Sequence, residues 1–149
     1  MILCDVGVLL AAMMEHSPHH QACFAPVERL RMRGSPHAVS ELILAAVVRI
    51  ATNPKVFKPP AKAAEGFAFV DLLRADPSAI TVAPGARHWG IFRGLVEDHG
   101  LRGPDTTDAY LAALAIEHGC EWWTIDRGFS RFPKLRWRNL LDAPPDAPR

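Results

Sequence analysis

Apolar and polar positions follow two rhythms along this chain. Short unbroken apolar runs alternate with longer stretches whose apolar positions recur every three or four residues. Met1 to Cys4 is apolar throughout and stops at Asp5. A run of that kind fits a central parallel strand buried on both faces. His37 to Val39, Ala79 to Ala83 and Glu121 to Ile125 read as further strands, and Leu135 to Trp137 as a fifth. Between them lie the helical stretches. Val8 to Met14 begins a short one after Gly7. Ser17-Pro18, a cap followed by a first-turn proline, starts another that runs towards Arg33, bends near Pro26 and ends at Gly34. Ser40 is placed to cap a strong helix that starts at Glu41 and stops at Asn53-Pro54.

Asn53 to Pro60 holds three prolines and reads as a loop. Ala61 to Ala75 is amphipathic, and Arg87 to His99 is a helix closed by Gly100. After the Gly103-Pro104 turn, Asp105 or Thr106 is expected to cap a last helix that Gly119 ends, which puts Asp108 in its first turn. Strands alternating with helices predict a three-layer α/β/α sandwich with a central, mostly parallel sheet. Residues 1–142 are expected to form one domain, and 143–149 a frayed, proline-rich tail.

In such a fold ligands bind outside the carboxyl ends of the strands. Four acids from separate segments are predicted at that edge. Asp5 follows the first strand, Glu41 opens a helix, Asp108 lies early in the last helix, and Asp126 follows the fourth strand. Like charges repel, so such a cluster is costly unless a cation joins it. A hard divalent ion such as Mg²⁺ takes oxygen ligands and keeps waters for phosphate oxygens. Taken singly, each acid is explained as a helix-dipole partner or strand-end cap; four at one edge point to a metal-assisted hydrolase. Thr124, two residues before Asp126, faces the same side of its strand and is placed to bond a ligand carboxylate.

Composition narrows the field. Apolar residues make up 49% and charged residues 22%, which excludes a disordered chain. The net charge of +1 gives no global basic field. Basic residues instead crowd beside Asp126: Arg127, Arg131, Lys134 and Arg136 are candidates to hold the phosphates of a ligand. The three cysteines fit no zinc spacing and suggest a reducing compartment. With no long apolar span and no basic leader, a cytoplasmic protein without membrane attachment is expected. Adjacent Trp122 and Trp123 face opposite sides of a strand, and His16, His19 and His20 read as solvated. Small residues Ala109, Ala112, Ala113 and Ala115 permit close helix packing, either on the sheet or across a dimer.

The stretches MILCDVGVLLAA, SELILAAVVRIATNPKVFKPP and TTDAYLAALAIEHGCEWWTIDRGFSRFPKLRW carry a resemblance. Together they resemble the PIN-domain nucleases, and within them the VapC toxins of bacterial toxin–antitoxin pairs. The resemblance implies an endoribonuclease that uses Mg²⁺ or Mn²⁺ and acts on structured RNA such as tRNA or rRNA. It also implies a homodimer neutralised by a small cognate antitoxin. On the family's motif Asp5, Glu41, Asp108 and Asp126 fall at the acidic catalytic positions, with Asp5, Asp108 and Asp126 as metal ligands. Two positions depart from the pattern. Gly7 stands where the family usually has Asn, Ser or Thr, and Gly128 where it often has a further acid. These departures leave an alternative, a catalytically weak module that binds RNA or antitoxin. A phosphoacceptor receiver domain ranks low, because Asp5 is followed by Val6 where such domains carry a second acid.

Overall fold

A computed structural model describes residues 1–142; the tail expected over 143–149 lies outside them. Five strands make one sheet: β1 (Ile2–Cys4), β2 (His37–Val39), β3 (Ala79–Thr81), β4 (Glu121–Thr124) and β5 (Trp137–Asn139). All pairs are parallel, in the order β3-β2-β1-β4-β5. The helices are α1 (Val6–Met13), α2 (His20–Met32), α3 (Glu41–Ala51), α4 (Ala63–Arg74), α5 (His88–His99) and α6 (Pro104–Glu117). A 3-10 turn spans Arg127–Arg131.

The path steps outward in one direction from β1 to β2 to β3, then returns to β4 and continues to β5 on the other side. Right-handed crossovers therefore send α1–α4 to one face and α5–α6 to the other. The packing agrees: α1 lies on α2 and α3, α3 on α4, and α5 on α6. The strand order reverses between β1 and β4, whose register pairs Cys4 with Trp123. The Asp5 N–H continues the ladder to the Trp123 carbonyl at 2.8 Å. The crevice at this switch point thus opens at Asp5.

The core explains the rigidity of that edge. Leu3, Val8, Ile43, Val47, Leu114 and Trp122 are almost wholly buried. Ala109, Ala112, Ala113 and Ala115 are fully covered within the single chain, so α6 uses its small residues to sit close to its own domain. Trp122 packs on Phe129, with ring centroids 5.2 Å apart.

Several local expectations shift. The helix α6 begins at Pro104, because Gly103 at φ 53° takes the cap position and a proline suits the first helical residue. Asp105 is thus the first-turn acid, and Asp108 lies one turn further in. Ser40 occupies the cap of α3 without a side-chain hydrogen bond. Ser17 does not start α2; its Oγ accepts from the His19 N–H, and the helix begins at His20. The fifth strand lies at Trp137–Asn139, two residues later than the pattern of apolar positions suggests.

Candidate active site at the carboxyl edge

Asp5 is the buried centre of the site, only 8% exposed. The Thr124 hydroxyl donates to Asp5 Oδ2 at 2.6 Å, and Thr124 is itself fully buried. The same hydroxyl oxygen accepts the Asp126 backbone N–H at 3.0 Å. One side chain of β4 therefore ties the acid after β1 to the backbone of the acid after β4. Burial raises the Asp5 carboxyl from 3.8 to about 6, against the pull of Thr124 and the backbone N–H groups of Val6 and Gly7. The Asp108 charge pushes it further up.

Asp108 is held by Arg131, whose guanidinium donates to Oδ2 at 2.7 Å. The other arm of Arg131 reaches Asp105 at 3.5 Å. Even so, the Asp108 carboxyl is raised. Burial is the largest cause, Arg131 opposes it, and the like charges of Asp126 and Asp105 add to it. Asp5, Asp108 and Asp126 thus form an electrostatically linked row, with Arg131 as its internal counter-ion. The sequence placed Arg131 among phosphate-binding candidates; its contact with Asp108 arises only from the fold.

The other predicted residues are spread more widely. Glu41 lies outside this row, on the protein's surface, where it pairs with Arg74 at 2.9 Å. Both side chains are more than half exposed, so this pair contributes at most about 1 kcal/mol and is easily exchanged. Arg127 turns to Asp142. Arg136 donates to the Gly119 carbonyl at the end of α6. Lys134 lines a separate depression with Gly90, Gly94 and His99.

An open groove of about 420 Å³ leads from the acids between α3 and α6. Asp5 and Asp108 lie at one end, Leu42, Ala46 and Leu111 along its sides, and Arg49 also lines it. Among the described residues no three His, Cys, Asp or Glu side chains converge closely enough to hold a metal ion unaided. The donor set nevertheless fits a hard cation. It consists of carboxylate oxygens, and Mg²⁺ is commonly held by one or two carboxylates, with waters and substrate phosphates completing its shell.

The two glycines next to the acids differ. At Gly7 a Cβ would lie 3.5 Å from Ile125 Cγ1 and 4.0 Å from Asp5 Oδ2, which is ordinary contact. Gly7→Ser is therefore accommodated, and its hydroxyl lies within reach of Asp5. The expected result is a melting temperature equal to or above wild type, since glycine within a helix costs about 0.5–1 kcal/mol. Melting curves of the two proteins check this. Gly128 lies outside the left-handed region, so its φ does not demand glycine. Its N–H donates to Asp126 Oδ1 at 2.7 Å, and a Cβ would meet that oxygen at 3.0 Å. An aspartate here would crowd Asp126 and add a like charge.

A doubly wound parallel sheet with linked carboxylates at its switch point defines a class: α/β domains that bind ligands, commonly phosphates with metals, at the strands' carboxyl ends. Comparison with known proteins narrows that class. The PIN domain family model matches residues 2–135. VapC ribonuclease Mb2897 of Mycobacterium bovis is 39% identical over 143 residues, 96% of this chain and 97% of the relative. Ribonuclease VapC25 of Mycobacterium tuberculosis is 37% identical over 136 residues, covering 91% of this chain and 96% of the relative. The chain belongs to the PIN-domain family, among its VapC ribonucleases. Solved structures share the fold at lower identity. VapBC2 from Rickettsia felis, bound to a promoter DNA fragment, gives a TM-score of 0.66 at 19% identity, covering 93% of this chain and 98% of that one. VapBC-1 from nontypeable Haemophilus influenzae gives 0.65 at 15% identity, covering 95% and 100%.

Proposed function

We propose that this chain is a metal-dependent endoribonuclease, the toxin of a toxin–antitoxin pair. The observation that carries this reading is the linked row Asp5–Asp108–Asp126 at the switch point of a PIN fold. Asp5 and Asp108, which share the groove, would hold Mg²⁺ or Mn²⁺, with Asp126 beside them. Such an ion supplies a polarised scissile phosphate and a more acidic bound water. Thr124 fixes Asp5 through its Oδ2 and so orients the carboxylate. Arg131 neutralises Asp108 in the resting protein, and its guanidinium is a group suited to phosphate oxygens. Glu41 is recruited only by exchanging its exposed pair with Arg74. The reading extends to a structured RNA substrate, such as tRNA or rRNA, a homodimer and a cytoplasmic setting. Among the described residues no helix is long and apolar enough to cross a membrane. A small antitoxin is expected to lay a basic side chain against the acids, supported by the VapBC names of the structural neighbours.

A second reading, a catalytically weak module that binds RNA or antitoxin, draws on two observations. No three ligating groups converge, and Arg131 already engages Asp108. Incubation of the antitoxin-free protein with total RNA, with Mn²⁺ or with EDTA, separates the two. Discrete cut ends that need Mn²⁺ and vanish in Asp108→Asn are the expected result. Identical RNA profiles with and without metal favour the weak module.

A further inference from the structure

A second groove, of about 580 Å³, lies on the domain away from the acids. One wall is α2, carrying Arg29 and Arg33; the other is β5, carrying Arg138; Trp123 and Asp142 also line it. Arg29 and Arg33 stand four residues apart, so they share one helix face. Among the described residues neither has a carboxylate partner, and Arg138 has only the ring of Trp123, 5.8 Å away. Neighbouring Arg31 shows what a structural arginine does on this helix: it is partly buried and binds Glu28 and Asp76. The single acid of the groove, Asp142, is already neutralised by Arg127.

Three arginines facing one concavity repel each other and are retained at a cost unless an anion enters. Being at the end of α2 accounts for a dipole contribution from Arg29, but not for the convergence of Arg138 from another element. The guanidinium fork matches phosphate oxygens. The location supplies the direction. Asp142 follows the carboxyl end of β5, and its partner Arg127 follows Asp126. The groove therefore runs along the domain from Arg33 and Ser35, before β2, to Asp142, just past the carboxyl end of β5, a length that suits an extended polyanion.

We infer that the α2–β5 groove, through Arg29, Arg33 and Arg138, is an RNA exosite that holds the phosphate backbone of the substrate outside the cleavage point. This inference rests on the ribonuclease reading and adds how long substrates are selected over short ones.

The test uses the full chain with Arg29→Gln and Arg33→Gln together, both side chains being exposed. Binding to a mixed transfer-RNA pool is measured in EDTA across a salt series, so no cleavage occurs. The expected result is about ten-fold weaker binding and a salt slope reduced by about two, one for each arginine. Arg138→Gln, on the opposite wall, is expected to lower the slope by about one independently. Mn²⁺-dependent cleavage of a tetranucleotide, too short to reach the groove, should be unchanged. Unaltered affinity and slope overturn the exosite while leaving the ribonuclease reading intact. An equal loss on the tetranucleotide also overturns it. Loss of binding to a co-expressed partner with unchanged RNA affinity assigns the groove to an acidic peptide instead. If the wild-type protein neither binds nor cuts RNA, both readings fall.

Discussion

Asp5→Asn abolishes RNA cleavage and at the same time makes the metal-free protein more stable. On the proposed function, activity falls because the buried charge offered to the metal at the centre of the site is lost; the drop is expected to be at least about 100-fold, the scale seen when a group stabilising transition-state charge is removed. Stability rises because the charged carboxylate is held where burial disfavours it. Its folded value of about 6 lies above the ordinary carboxyl value of 3.8, so between these limits the folded state binds more protons than the unfolded. The Asp5 contribution to stability therefore declines as pH rises from about 4 to about 6, by about 3 kcal/mol, and is constant above. Asparagine carries no such charge, and its amide oxygen can still accept from Thr124. The variant should match wild type near pH 4 and melt up to about 10 °C higher at pH 7. Melting curves at the two pH values check this. A variant that melts at or below wild type at pH 7 contradicts the burial argument, and one that cuts RNA at the wild-type rate removes Asp5 from the site.

Thr124→Val lowers stability and activity together, the opposite combination. The hydroxyl donates to Asp5 and accepts from the Asp126 N–H, and both bonds are lost on an almost isosteric change. Taking one donor from a buried carboxylate that keeps the Val6 and Gly7 N–H groups, and leaving the Asp126 N–H without its partner, costs about 1–3 kcal/mol. Removing the donor raises the Asp5 carboxyl further. The added penalty is thus full above pH 6 and shrinks as pH falls and Asp5 takes up its own proton. With Asp5 holding the metal as proposed, loss of its orienting partner should also weaken Mn²⁺ affinity or activity by about 10- to 100-fold. Thr124→Ser, which keeps the hydroxyl, should restore the metal affinity. Equal Mn²⁺ affinity in the valine and wild-type proteins would reduce Thr124 to a packing residue.

The contrast between these two neighbours shows why the site is only partly legible in the chain. The apolar runs ending at Asp5 and Asp126 report their own burial, so two strands and their order of appearance were readable. Gly100 and Gly119 announce helix ends because their left-handed backbone suits no other residue as well. The paired placement of Thr124 and Asp126 followed from the two-residue period of a strand. That Thr124 bonds Asp5, 119 residues away, needed the β1–β4 register.

What the sequence determined by itself was local: which stretches are buried strand, which are helix, and which acids end or begin them. Those properties depend on side-chain periodicity and backbone preference within a few residues. What only the tertiary structure decided was pairing. Arg131 reaches Asp108 across 23 positions, while Glu41 turns to Arg74 and Arg136 to a helix end. Arg29, Arg33 and Arg138 meet across one groove although no motif links them. Long charged side chains choose partners by distance and burial, and both are fixed only when separate segments pack on one sheet.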